Sequence, residues 1–404
     1  MNDSDAAQLA ARFDHHDPAQ AADPHSVYAK IRDSRCPVAR SETNGGFWLA
    51  TQHDDVVQVL HDTETFSSVS VTVPQKLFGD FGFAVLPPIT LDGMAHRDFR
   101  RIVLPAFSPK TILRWEDAAR QSCREFIDEF IERGECDAAQ DYARRIPVRI
   151  VSLMVGIPPE DEITFAGWIH DVTEMGGTNI EQGLKAAGEM WVYFQEQVED
   201  HKKNPRDDLL NILINADYEG DELNDAELLG FLFLMITAGM DTTWSVIGDS
   251  LCHLAKHPQH RRFLAEDPSR IPTAIEEMLR YFAPALLGRV ATKDADLHGS
   301  RVKQGESVMV CYPSANRDER AFPNADTVVL DRSPNRHLAF GAGVHRCLGS
   351  SLARMELRVA IEEWLSRIPE FSLADPGLVR WGSGPVRGPR TLPIIFPASA
   401  RSTS

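Results

Sequence analysis

The sequence is short of positive charge. Its 42 lysines and arginines stand against 59 aspartates and glutamates, a formal net charge of −17. Neutralising a phosphate backbone needs a basic surface, so nucleic acid is not expected as a partner, and adsorption to anionic membranes is disfavoured. Long hydrophobic runs are also missing. The nearest, about residues 228–240, contains glycines and is followed by Asp241, too short to cross a bilayer. The opening Met1-Asn2-Asp3-Ser4-Asp5 is acidic and lacks the basic and apolar parts of a secretory signal. The six cysteines (Cys36, Cys123, Cys136, Cys252, Cys311, Cys347) have no Cys-x-x-Cys spacing, which excludes a disulfide framework or a zinc cluster and fits a reducing compartment. A cytoplasmic protein without a membrane anchor is the expectation. No repeat, low-complexity tract or composition break divides the chain, so one domain is expected over residues 1–404, with flexible ends at about 1–14 and 398–404.

What is present is mostly helical pattern. Residues 111–135, 179–203 and 224–256 carry apolar side chains at helical spacing with charge on the opposite face. Asn224 followed three residues later by Glu227 predicts a capping box at the start of the third. Strand signals are short, at 47–51 and 307–311, and proline-rich connectors are expected at Pro87-Pro88, 157–159 and 385–393. The pattern predicts a mainly α fold with a small β region.

The chemistry concentrates at Phe340-Gly341-Ala342-Gly343-Val344-His345-Arg346-Cys347-Leu348-Gly349, ahead of a predicted helix over 350–365. A single thiol among small residues before a helix start is placed to become a metal-bound thiolate, because oriented amides and the helix dipole favour the anion. Gly341, Gly343 and Gly349 leave room for a flat group against the sulfur. The segment resembles the haem-binding loop of the cytochrome P-450 family, the haem-thiolate monooxygenases, with Phe340, Gly343, His345, Cys347 and Gly349 at every fixed position of that pattern. The resemblance implies a triangular, mainly helical domain enclosing haem b, with Cys347 on the iron, where thiolate ligation favours cleavage of the O–O bond.

Further stretches extend the resemblance along nearly the whole chain. Ala238-Gly239-Met240-Asp241-Thr242-Thr243 lies mid-helix, where Leu234, Ala238 and Thr242 share a face at four-residue steps. On its own, Thr242 could simply bond the Ala238 carbonyl, and Asp241 could reach the surface. The family's Ala-Gly-x-Asp/Glu-Thr motif implies instead that Thr242 steadies the hydroperoxide on the iron while Asp241 relays protons. Glu277 and Arg280 match the family's Glu-x-x-Arg pair, with Arg332 as the later arginine that closes it, a structural role; the family's proline and aromatic residue are replaced by Ala325 and Val328. His96, Arg100, Arg289 and His345 match cations that meet the haem propionates, a task suited to guanidinium forks.

By the same resemblance the substrate pocket draws on Phe78, Phe81, Phe83, Val85, Leu234, Ala238, Leu286, Leu287 and Gly384. These are apolar, and they imply a small-to-medium hydrophobic substrate such as a terpenoid or aromatic compound. The implied reaction inserts one oxygen atom of dioxygen, with electrons from a separate ferredoxin and its NAD(P)H-dependent reductase. The ferredoxin is expected to dock on a basic patch of Arg97, Arg101, Lys110, Arg346 and Arg354, on a monomeric enzyme. Competing readings are a peroxide-driven peroxygenase, which the intact Asp241-Thr242 pair disfavours, a non-catalytic haem sensor, and a zinc site lacking a second ligand pair.

Overall fold

The computed structural model describes residues 3–75, 85–172, 179–218 and 221–401. The longer helices used below, among the described residues, are α1 (Asp3–Ala11), α2 (Gly93–Val103), α3 (Glu116–Phe130), α4 (Arg145–Val155), α5 (Glu162–His170), α6 (Ile180–Lys203), α7 (Asp225–Lys256), α8 (Ile271–Phe282) and α9 (Ser350–Arg367). The axis of the molecule is α7. Asn224 and Glu227 form the expected reciprocal cap, satisfying amides that the first turn leaves without partners. Most of α7 is buried, because α4, α6, α8 and α9 pack around it. By length and composition α7 is apolar enough to cross a membrane, but 83% of its most apolar window is covered by protein. It is a core helix.

The second long helix also begins as its sequence suggests: the Asn179 side chain accepts from the Gln182 amide, and α6 runs to Lys203. The single helix expected over 111–135 is a correction. Ser108 caps a short turn at Pro109–Ile112, a 3-10 turn follows at Leu113–Trp115, and only then does α3 run. Gly134, in the left-handed region at φ 72°, ends the segment before the strand Glu135–Asp137.

The main sheet has five strands in the order β1 (Val38–Ser41), β2 (Phe47–Ala50), β5 (Ser307–Val310), β4 (Leu287–Ala291), β3 (Phe66–Ser67). Only β2 and β5 pair in parallel; the other pairings are antiparallel. The fully buried pattern of β5 explains why its sequence reads as one apolar run. A two-stranded ribbon, β6 (Arg380–Trp381) with β7 (Pro389–Thr391), lies against α7. It falls where only a proline-rich connector was expected, since strands this short show no alternation to read.

The loose N-terminal end expected over 1–14 is also corrected. From Asp3 the chain is helical, and Ala10 and Phe13 are buried in a core with Tyr28, Phe47, Leu49 and Met309. The far end, at Ala398 and Arg401, is exposed, although the Ser399 amide still reaches the Ile131 carbonyl.

Candidate active site

The cysteine loop closes on itself before α9 begins. The Cys347 amide donates to the Phe340 carbonyl at 2.8 Å, and the Leu338 amide to Asn316 Oδ1 at 2.7 Å. At Gly343, with φ 67°, a Cβ would sit 2.5 Å from the Leu60 carbonyl oxygen, so only glycine fits there. The Phe340 ring lies 4.4 Å beneath the Arg354 guanidinium, which is clamped by both oxygens of Glu276; His337 binds the same carboxylate. Cys347 is exposed in this structure, although protein surrounds it closely. Burial pushes its thiol up, while the Gly349 amide and Arg100, Arg346 and Arg354 pull it back. A metal cation at the sulfur would reverse that balance, since coordination favours the thiolate.

The four expected cations divide unevenly. His96 and His345 are side by side, ring centroids 4.1 Å apart, and each has a buried Nε2 without a hydrogen-bond partner. The approach of His345 Nε2 to Asp92 Oδ1, 3.5 Å, is too long to satisfy it. Arg289, on β4, is buried and donates to the Gly288 carbonyl, its own chain neighbour. Burial holds His345 well below its ordinary value, and His96 and Arg289 add to the effect. Buried donors left without acceptors are costly, and carboxylates would satisfy them. Arg100 is half-buried and already donates to the Arg346 carbonyl at 2.6 Å, tying α2 to the cysteine loop.

The middle of α7 is buried except around Ala238. Leu234 and Thr242 are partly open and Ala238 is exposed, at successive four-residue steps. A helix in the middle of a protein, open on one face and floored by alanine, leaves space for a flat ligand. Thr242 Oγ1 donates to the Ala238 carbonyl at 2.8 Å, as the sequence allowed. Asp241 sits about 100° around the helix from Thr242 and faces the protein. It is 5% exposed, and its Oδ1 lies 2.8 Å from Arg390 of β7. Arg390 also donates to Ser245 Oγ at 3.1 Å and covers the Trp244 ring at 4.3 Å. Its approach depends on Gly388, where a Cβ would meet the Ser245 Cβ at 2.3 Å.

Glu277, Arg280 and Arg332 come together as their order implied, all within a closed network. Glu277 and Arg280 are fully buried and joined by two bonds of 2.7 Å. Arg332 Nε reaches Glu277 Oε2 at 3.0 Å, and Asn335 and the Val329 amide complete the carboxylate's partners. Arg280 donates to the Asn316 and Ala325 carbonyls, so this network holds the segment that leads into the cysteine loop. Replacing the family's proline with Ala325 costs nothing at this contact, which uses only the backbone.

The expected pocket positions diverge. Phe78, Phe81 and Phe83 lie outside the described residues. Val85 is exposed and Leu287 half-buried, while Gly384 adopts φ 102° against the His16 ring. Leu286 is corrected to a core residue, packed with Phe13, Phe47 and Val73. The basic patch is also smaller than expected. Arg354 is committed to Glu276, and the exposed Arg97 and Arg101 share Asp98, while Lys110 and Arg346 are exposed, with no carboxylate partner among the described residues. Among the described residues no group of three or more His, Cys, Asp or Glu side chains is placed to hold a metal ion. The sequence reading missed Arg390, Gly388, Asn335 and His16. Nothing in local spacing signals them, because each meets its partner across a long stretch of chain.

Comparison with known proteins gives a consistent answer. The family model described as cytochrome P-450 matches residues 23–271 and 270–373. The mycinamicin IV hydroxylase/epoxidase of Micromonospora griseorubida is 33% identical over 384 residues, covering 91% of this chain and 94% of that protein. The polyketide biosynthesis protein PksS of Bacillus subtilis is 31% identical over 386 residues, covering 92% and 95%. Its solved structure superposes with a TM-score of 0.88 over 95% of this chain and 99% of that one. A structure of BioI in complex with an acyl carrier protein ligated to hexadec-9Z-enoic acid matches at 27% identity, TM-score 0.86, covering 94% and 99%.

Proposed function

Because this chain belongs to the cytochrome P-450 family of haem b monooxygenases, we propose that Cys347 is its iron ligand and that its substrate is a small-to-medium hydrophobic molecule. One observation carries the reading: beside the accessible Cys347 loop, the paired His96 and His345 each keep a buried ring nitrogen without a partner, with the buried Arg289 near them. The donor set fits haem b. Cys347 would hold the metal, His96, His345 and Arg289 the two propionates, and Ala238 the face of the ring. Bound there, haem b supplies activation of dioxygen and transfer of one oxygen atom, the balance being substrate, dioxygen, two electrons and two protons giving hydroxylated product and water.

The protein's own residues do the rest. Arg100 and Arg289 add positive charge near the carboxylates, and Arg100 keeps the loop carbonyl of Arg346 in place. Thr242 Oγ1 stands one turn from the exposed Ala238 with its proton parked on the Ala238 carbonyl, from which it can turn toward an oxygen in the cavity. Asp241, held by Arg390, is the acid from which the hydroxyl is recharged. Leu234, Ala238 and Leu287 present apolar surface to the substrate, with no described carboxylate or cation among them. Such a lining selects by shape and burial, and polar substrates pay desolvation without return.

Electrons would come from a separate ferredoxin and its reductase, in the cytoplasm. The supporting surface is the α2 side of the cysteine loop, where exposed Lys110 and Arg346 adjoin exposed Met94, Leu104, Leu113 and Val344. An apolar patch rimmed by cations suits an acidic redox protein. Neutralising Lys110 and Arg346 together should slow ferredoxin-driven reduction and flatten its salt dependence.

The function is tested by reducing the purified protein under carbon monoxide. A red-shifted Soret band, lost in Cys347→Ala, is expected. A spectrum of imidazole-ligated haem, unchanged by Cys347→Ala, would overturn the assignment.

A further inference from the structure

Asp241 faces away from the cavity that Thr242 borders, so any proton it passes forward must reach it from behind α7. Behind it lies a cavity of about 10 Å³, lined by Arg144, Val148, His170, Met240, Asp241 and Trp244. That is room for one water molecule. One of its lining residues offers a donor: Trp244 is 4% exposed, and its indole Nε1–H is buried without an acceptor. A buried donor of this kind is normally satisfied by protein or ordered water. His170, the last residue of α5, lines this cavity and is half-buried.

From this placement we infer that His170 is the proton-entry residue of the enzyme, handing protons through one ordered water to Asp241. The inference rests on the proposed monooxygenase function and names a component of it that the family motif does not contain. The proton moves from the imidazole to the water as the water releases one to the carboxylate, so no charge is created beyond the one transferred. An imidazole is suited to a hand-over because one ring nitrogen can accept a proton while the other donates.

The charged surroundings shape the route. Arg144 lines the same cavity, donating to the Ala166 carbonyl at 2.7 Å and to Gln140 at 3.2 Å, with its guanidinium 5.6 Å from the Trp244 ring. Arg390 pairs with Asp241 and also lies over the Trp244 ring. From α6, Gln182 binds Asp171 beside His170, and Arg149 of α4 is paired with Glu162 at the other end of α5.

The test uses the holoenzyme with and without two substitutions. His170→Gln keeps hydrogen bonding but carries no proton, while His170→Glu can carry one. With a surrogate ferredoxin and reductase and no added substrate, His170→Gln should slow oxygen consumption about tenfold and raise its solvent deuterium isotope effect, and His170→Glu should restore both. A high-resolution crystal structure of the wild type should show one water within hydrogen-bonding distance of Asp241 and Trp244 Nε1. Val148→Ile, which fills the cavity, should expel that water and reproduce the slow phenotype. The carbon-monoxide spectrum must stay thiolate-like in all variants; its absence in the wild type would sink the parent function instead. With that spectrum intact, a dry wild-type cavity, or a His170→Gln enzyme with unchanged rate and isotope effect, overturns the inference.

Discussion

The cysteine loop and the back of α7 solve the same problem, holding a chemically demanding group in place, by opposite means. The loop does it locally. Cys347 is positioned by Phe340, Gly341 and Gly343, all within a few residues, and its shape is fixed by backbone bonds and by glycines that admit close approach. The back of α7 is assembled from afar: Asp241 meets Arg390 from β7, and the cavity behind it is closed by residues of α4, α5 and the turn before α4. A local device survives as a motif. An assembled one leaves only its central residue visible.

The comparison breaks most severely at the sulfur. Cys347→Ala should abolish the thiolate-type carbon-monoxide spectrum altogether; electronic absorption reads it. Next comes the buried network that supports the loop. Glu277→Ala leaves Arg280 charged, fully buried and without its carboxylate, a change that costs about 3–5 kcal/mol in comparable cases. Thermal denaturation and haem content should both fall, and a protein of wild-type stability would contradict the account.

Effects on the assembled side should be smaller and should spare the spectrum. Thr242→Ala should keep thiolate-ligated haem while a several-fold larger share of consumed oxygen leaves as peroxide, measured by peroxide assay against oxygen uptake. Gly388→Ala should act like a partial loss of Arg390, because the added methyl pushes β7 off Ser245. Its peroxide share should lie between wild type and Arg390→Gln.

The mildest test touches neither region. Burial holds His15 and His253 neutral down to about 3, against 6.5 when exposed. The folded state therefore binds fewer protons than the unfolded one below about 6.5. Stability is fully present above that value and is lost progressively as pH falls toward 3. Melting temperatures should be level between pH 7 and 8 and decline below 6.5, and this decline should be shallower in His253→Phe.

Legibility in the sequence followed the same divide. The long helices were readable because amphipathic spacing and caps at Asn179 and Asn224 are local signals. The mainly α fold with a small sheet, and the meeting of Glu277, Arg280 and Arg332, followed from periodicity and from the family pattern. The break in the helix expected over 111–135 did not, because 3-10 and α turns share nearly the same apolar spacing. The ribbon carrying Arg390 looked like a connector, since glycines and prolines there serve close packing against Ser245 rather than a turn. The cation patch shrank for a related reason: charge counts cannot see that Glu276 and Asp98 already occupy Arg354, Arg97 and Arg101.

The central claim is a bond between the sulfur of Cys347 and the haem iron. X-ray absorption at the iron edge of the resting protein reads that bond directly. A single sulfur scatterer in the first coordination shell, replaced by nitrogen or oxygen alone in Cys347→Ala, is the predicted result. A wild-type shell containing only nitrogen and oxygen would contradict it.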